Sequence, residues 1–151
     1  MIVFCLPQHR ALLPEGLDAR SDPALRDYRS GRFPDGELWV ELDGSVTGEE
    51  CTVLGSLAPP GEQMLATLLL ADTLRRERAR RVVALLPYLG YARQDRARPG
   101  RSFGAAWAGA LLAAVGVDQV VTIDIHSSAA QACFPVPVVS LSPAPLLAAQ
   151  L

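Results

Sequence analysis

The sequence predicts an α/β fold built on a doubly wound parallel sheet with flanking helices. Short apolar runs that are typical of buried strands alternate with longer segments of helical periodicity. Several of these runs are almost continuously apolar, as expected for parallel strands covered on both faces. Half of the 151 residues are hydrophobic and a fifth are charged, which suits one globular domain with a single core.

The elements of the N-terminal part follow from periodicity and turn residues. Residues 1–6 have the pattern of a buried strand, and residues 38–42 alternate like a strand near a sheet edge. Residues 51–57 form a third predicted strand, after which the segment 58–62 breaks the pattern with proline and glycine. A helix is predicted over 63–78, because its apolar residues fall on one broad stripe.

The C-terminal part continues the alternation of strands and helices. Residues 81–87 predict a buried strand, and a long polar loop follows over 88–102. The small residues of 103–115 predict a helix with Trp107 in the core and a C-terminal cap at Gly116. The remaining predicted elements are a strand over 119–125, a short helix over 127–133, a strand over 136–141 and a helix from 143 to 151.

Composition and charge exclude several classes of protein. The net charge of −2 gives no reason to expect binding to nucleic acid or to an anionic membrane. All 14 basic residues are arginine, so a phosphate must be bound by arginine, histidine, backbone N–H groups or a metal. Cys5, Cys51 and Cys133 match no disulfide framework or zinc motif, and reduced thiols in a cytoplasmic protein are expected. Residues 1–10 lack the pattern of a signal peptide, and no apolar run has membrane-spanning length, so neither feature is expected.

A polar loop follows the predicted strand 81–87 at the end where α/β sheets bind ligands. It contains Arg93, Gln94, Asp95 and Arg96, and it places four arginines within nine residues. A guanidinium group binds two phosphate oxygens at once, in a bidentate contact. Gln94 has both hydrogen-bond donors and an acceptor for a purine or a ribose. Asp95 is suited to orienting the arginines or to holding a metal-bound water. The alternative interpretation is a solvated basic loop paired with surface acids.

A second polar segment, Asp124-Ile125-His126, follows the predicted strand 119–125. If the strand extends that far, its alternation places Asp124 and His126 on the same side. A carboxylate beside a neutral imidazole is suited to placing Mg²⁺ near a triphosphate. The alternative is that His126 caps the turn that follows.

The third candidate feature is the turn at residues 32–37, where proline and glycine predict a tight reversal leading into a strand. Phe33 offers an aromatic face for a base, and Asp35 and Glu37 offer acceptors for an exocyclic amine. The alternative is a structural loop whose aromatic ring packs on the core.

In this order and spacing, the three features resemble the N-terminal domain of ribose-phosphate pyrophosphokinases. FPDGE at 33–37 is similar to the family's F-[SP]-D-G-E, and TIDIH at 122–126 is similar to its [TV]-x-D-[LI]-H. LPYLGYARQDR at 86–96 resembles P-Y-x-x-Y-A-R-Q-D-R, which is the most specific of the three motifs. The likeness runs from about residue 30 to the end of the sequence.

The resemblance implies a phosphoribosyltransferase-like fold and transfer of a diphosphoryl group from ATP to ribose 5-phosphate, with Mg²⁺ as cofactor. It implies that His126 is catalytic and that His126 and Asp124 approach the metal. It also implies a homo-oligomer in which the turn 33–37 holds adenine across a subunit interface. The implied ATP-binding residues are Phe33, Asp35, Glu37, Arg93, Gln94, Asp95 and Arg96.

The sequence also departs from the family pattern. QACF stands at 131–134 where the family has Q-G-F-F, and residues 100–106 lack the glutamate and lysine of G-E-P-I-S-A-K. The family's acidic ribose 5-phosphate loop and catalytic lysine have no counterpart. We therefore expect an ATP-site and assembly domain over 1–142, with 143–151 starting a helix towards a further domain. The alternative function is a non-catalytic nucleotide-binding or assembly module related to the enzyme.

Overall fold

The computed structural model describes residues 1–15, 18–20, 22 and 24–150. Most of the described residues belong to a five-stranded parallel sheet, its helices and a separate two-stranded antiparallel hairpin. The strands are β1 (Ile2–Cys5), β2 (Tyr28–Arg32), β3 (Leu38–Leu42), β4 (Glu50–Leu54), β5 (Arg81–Leu86), β6 (Gln119–Ile123) and β7 (Val138–Leu141). The helices are a 3₁₀ helix (Pro7–Leu12), α1 (Gly61–Arg76), α2 (Gly104–Ala114), α3 (Ser128–Ala132) and α4 (Ala144–Ala148).

The large sheet has the strand order β1-β4-β5-β6-β7, with β5 at its centre. One buried residue from each strand is paired with the next, so that five residues form a row across the sheet. The side chains of residues paired in this way point to the same face of the sheet. Helices α1 and α2 cover this face and bury Leu70, Leu74 and Leu112 in the same core. The residues of the row are Phe4, Val53, Ala84, Val120 and Val138.

The predicted α/β architecture, a parallel sheet flanked by helices, is confirmed. Segments 82–86 and 119–123 lie inside the sheet, and the helices predicted over 63–78 and 103–115 are present with slightly shifted ends. Within the described part of the chain, the strands follow one another across the sheet in chain order. None of the described helices is long and apolar enough to cross a membrane. The last residue of the helix predicted over 143–151, Leu151, lies outside the described residues.

The hairpin of β2 and β3 was only half predicted. Strand β2 has the sequence YRSGR and lacks the apolar alternation that identifies a strand, so only β3 was found from sequence. Strand β2 is identified by its antiparallel pairing with β3, in which Gly31 lies opposite Trp39. A Cβ at Gly31 would come within 2.7 Å of the Trp39 ring, so glycine permits this close contact.

Arg75 ties the end of α1 to two other segments. Its guanidinium donates to the carbonyl of Gly116, which follows α2, at 2.7 Å and to the carbonyl of Ala79 at 3.1 Å. It also pairs with Asp118. Asp118 accepts a further hydrogen bond of 2.7 Å from the N–H of Val82, so the start of β5 joins the same network. A cation at a helix C-terminus is also favoured by the macrodipole.

Replacing Arg75 with alanine is expected to lower the free energy of unfolding by about 1.5–3 kcal/mol, because several charge-assisted hydrogen bonds disappear together. The matched control is Arg76→Ala, one residue further along α1. Arg76 makes a surface ion pair with Asp72 four residues before it, and its loss is expected to cost about 0.5 kcal/mol or less. Urea denaturation of the two variants measures both values. Equal losses would contradict the structural role of Arg75.

Candidate functional site

Two polar loops meet where the adjacent strands β5 and β6 end. One loop spans 87–103 and follows β5, and the other spans 124–127 and follows β6. Together they border a groove of about 420 Å³, into which the loop after β4 adds Leu57 and Pro59. The groove therefore brings together four residues that the sequence predicted from separate motifs, namely Arg93, Gln94, Asp124 and His126.

A second hollow of about 240 Å³ adjoins the groove and shares Arg93 and Gln94 with it. Its remaining wall includes Asp95, Ser102 and further arginines of the same loop. Within the described residues, none of the loop arginines forms an ion pair, and all are exposed. The alternative of a basic loop neutralised by surface acids is thus not observed there. The four arginines are Arg93, Arg96, Arg98 and Arg101.

Two serines hold the polar side chains of this arginine-rich loop (residues 93–101). The hydroxyl of Ser102 donates to Oε1 of Gln94 at 2.6 Å, which leaves the amide nitrogen of Gln94 as a donor. The hydroxyl of Ser127 donates to Oδ2 of Asp95 at 2.6 Å. That hydrogen bond is the main reason why the pKa of Asp95 lies below its usual value. Sequence reasoning missed both serines, although a serine before a helical run is a known N-cap signal.

Tyr91 and Asp124 adopt left-handed backbone conformations, with φ of 66° and 49°. Aspartate tolerates this region, whereas a bulky tyrosine there is strained by about 1–3 kcal/mol. The Tyr91 ring packs edge-on against Trp107, with ring centroids 5.1 Å apart. Trp107 is 45% exposed, so the prediction that it lies in the core is wrong. Helix α2 turns Ala105 and Ala108 into the core and leaves Trp107 at the rim of the site.

The structure corrects how Asp124 and His126 come together. The strand predicted over 119–125 would place both on one side only if it reached His126, but β6 ends at Ile123 because Asp124 leaves the extended conformation. Both residues nevertheless line the same groove. His126 does not cap the following turn; Ser127 caps α3 and accepts the N–H of Ala130 at 2.9 Å.

The groove contains few side chains that could bind a metal. In the part of the chain that the structure describes, no three or more His, Cys, Asp or Glu side chains gather into a metal cage. Asp124 supplies the carboxylate of the groove and His126 supplies its imidazole. Mg²⁺ is commonly held by one or two protein carboxylates plus phosphate oxygens and water, so this sparse donor set fits a metal that arrives with a polyphosphate.

The turn at residues 33–37 lies apart from the groove, at the tip of the β2–β3 hairpin. The N–H of Phe33 donates to the carbonyl of Glu37, and Oδ1 of Asp35 accepts the N–H of Glu37. Phe33 is 53% exposed, so its ring does not pack into the core as the structural alternative required. None of Phe33, Asp35 and Glu37 lines the groove or the adjoining hollow.

The fold and the site define a parallel α/β domain with exposed arginines beyond the carboxyl ends of its strands. Residues 1–116 match a family described as the N-terminal domain of ribose phosphate pyrophosphokinase. The ribose-phosphate pyrophosphokinase of Campylobacter jejuni is 41% identical over 119 residues, which cover 78% of this chain and 38% of that protein. The chain therefore belongs to the ribose-phosphate pyrophosphokinase family.

Two further comparisons agree with this family. The ribose-phosphate pyrophosphokinase of Cereibacter sphaeroides is 39% identical over 127 residues, which cover 83% of this chain and 38% of that protein. The phosphoribosylpyrophosphate synthetase of Mycobacterium smegmatis superimposes with a TM-score of 0.85 at 30% identity. That match covers 99% of this chain and 50% of the other. The chain thus spans half or less of the length of these relatives.

Gly90 is expected to be essential to the shape of the groove. A Cβ at Gly90 would come within 2.0 Å of the carbonyl oxygen of Leu57, so Gly90→Ala is expected to lower the free energy of unfolding by about 1–3 kcal/mol. Gly61→Ala is the control, because a Cβ there meets nothing within 4 Å and the position starts α1. Thermal unfolding of both variants is the measurement. A Gly90→Ala variant as stable as the control would contradict the close approach.

Proposed function

We propose that this chain supplies the ATP-binding part of a ribose-phosphate diphosphokinase. In that reaction the anomeric hydroxyl of ribose 5-phosphate attacks the β-phosphorus of ATP. The bond from this phosphorus to the AMP oxygen breaks, and phosphoribosyl pyrophosphate and AMP are formed. The observation that carries the proposal is the set of unpaired arginines beside Asp124 and His126, in a chain of this family.

Each part of the site has a role in this proposal. Diphosphoryl transfer depends mainly on positioning and on neutralisation of phosphate charge. Arg93 and Arg96 contact phosphate oxygens through their guanidinium groups, and Gln94 donates its free amide N–H bonds to the nucleotide. Asp124 and His126 would hold the Mg²⁺ that accompanies the triphosphate, and His126 would be the catalytic residue. A Mg²⁺ ion held there would supply neutralisation of phosphate charge.

The sugar-phosphate site is not assigned to residues of this chain. The 151 residues contain no lysine and no acidic loop of the kind that the family uses for ribose 5-phosphate. The nucleophile is therefore unpositioned in the isolated chain. Positioning of reactants accounts for roughly 7–11 kcal/mol of a barrier, so its absence abolishes turnover rather than reducing it.

Adenine recognition is assigned to two chains. The ring of Phe33 is exposed. Phe33, Asp35 and Glu37 line neither the groove nor the adjoining hollow of their own chain. In a homo-oligomer, this turn reaches the arginine-rich loop of a neighbouring chain and clamps the base.

Isothermal titration with Mg-ATP tests the nucleotide site. The chain is expected to bind Mg-ATP weakly, to bind it less well without Mg²⁺, and to form no phosphoribosyl pyrophosphate alone. Arg93→Ala is expected to weaken binding by about 1.5–3 kcal/mol through loss of a charge-assisted contact. Arg76→Ala, on the surface of α1, is the control and leaves affinity unchanged. Equal affinity of the wild type and Arg93→Ala would exclude the arginine-rich loop as the site.

Mixing two defective variants tests whether the site is shared between chains. Phe33→Ala and Arg93→Ala are each expected to bind Mg-ATP poorly. In an equimolar mixture that exchanges subunits, roughly a quarter of the sites combine an intact Phe33 with an intact Arg93 and regain wild-type affinity. Sedimentation velocity establishes the oligomer in parallel. A strictly monomeric chain, or a mixture without recovery, would contradict a shared site.

A further inference from the structure

Ser127 makes two hydrogen bonds that join separate parts of the site. Its oxygen accepts the N–H of Ala130 at 2.9 Å, which caps the N-terminus of α3. Its hydroxyl proton is donated to Oδ2 of Asp95 at 2.6 Å, across 32 residues of sequence. A hydroxyl has one donor and two acceptor lone pairs, so one side chain satisfies both partners at once. The bond to the carboxylate has the short length of a charge-assisted contact.

The same two segments touch through small apolar side chains. Ala92, Ala105 and Ala130 form a buried cluster, with Ile125 and Cys133 packed against it. This packing brings the start of the arginine-rich loop close to α3 but has no directional preference. The thiol of Cys133 lies 3.8 Å from the carbonyl of Asp95, which is a weak contact. The hydroxyl of Ser127 is therefore the strong directional link between the two loops.

Asp95 is the only acidic residue between Tyr91 and Arg101. It is next to Arg96 in sequence, yet it forms no ion pair with any arginine of the loop in the described structure. Its Oδ2 is occupied by Ser127 instead. The bond from Ser127 directs the carboxylate of Asp95 towards α3, and the neighbouring guanidinium groups of Arg93 and Arg96 form no ion pair in the described structure.

We propose that Ser127 is a positioning residue, which holds Asp95 against the N-terminus of α3 and so keeps the loop arginines directed to a phosphorylated ligand. This inference rests on the proposed function for the identity of the ligand, but not for the link itself. The motif shared with the family ends at His126, so Ser127 lies outside it. The lowered pKa of Asp95, with the bond from Ser127 as its first cause and the charges of Arg96 and His126 as smaller ones, agrees with the geometry.

The test compares Ser127→Ala with Ser127→Thr in the 151-residue chain. The alanine variant loses the hydroxyl, whereas threonine keeps a hydroxyl that can both cap α3 and donate to Asp95. Ser142→Ala is the matched control, because its hydroxyl also accepts a backbone N–H next to a short helix but lies outside the groove and the adjoining hollow. Two quantities are measured: the Asp95 carboxyl pKa by NMR titration, and the affinity for Mg-ATP by calorimetry.

Ser127→Ala is expected to raise the pKa of Asp95 above its wild-type value and to weaken Mg-ATP binding about tenfold. Ser127→Thr is expected to keep the pKa of Asp95 and the affinity for Mg-ATP at their wild-type values. Ser142→Ala is expected to change neither quantity. An unchanged pKa of Asp95 in Ser127→Ala, or a threonine variant that behaves like the alanine variant, would overturn the inference. If the wild type fails to bind Mg-ATP, the proposed function fails, while the pKa of Asp95 still decides whether Ser127 holds the loop.

Discussion

The parallel pairing of β5 with β6 is the constraint on which the site depends. The register runs from Val83 opposite Gln119 to Leu86 opposite Thr122, so the two strands end side by side at one edge of the sheet. Parallel strands release their following loops at the same edge. The arginine-rich loop and the aspartate–histidine segment therefore face one groove, although more than 20 residues separate them in sequence.

Small residues allow the loops beyond β5 and β6 to pack closely against neighbouring segments. Gly90 lets its backbone approach the carbonyl of Leu57, and Gly104 lets the start of α2 lie against Gln94, where a Cβ would be 3.0 Å from Oε1. Ala92, Ala105 and Ala130 are buried between the loops and the helices. Larger side chains at these positions would push the arginine-rich loop outward, because interiors have no free volume to absorb them.

The charge arrangement follows from the same packing. The loop carries four arginines and one acid, and the acid is engaged by Ser127 rather than by a neighbouring guanidinium. Exposed arginines without partners cost little in stability, since surface ion pairs contribute at most about 1 kcal/mol. The domain can therefore keep a concentrated positive surface at its strand ends. Such a surface is suited to phosphate, because guanidinium groups bind phosphate oxygens bidentately.

The sequence by itself determined the strands β5 and β6, the helices α1 and α2 and the residues of the arginine-rich loop, because periodicity and motifs are local properties. Only the tertiary structure decided that YRSGR forms a strand, that β6 ends before Asp124, that Trp107 lies at the rim and that Ser127 binds Asp95. Strand β6 ends where the backbone of Asp124 turns, and the other three outcomes depend on contacts between distant segments. Strand register and helix packing create such contacts, and no local pattern encodes them.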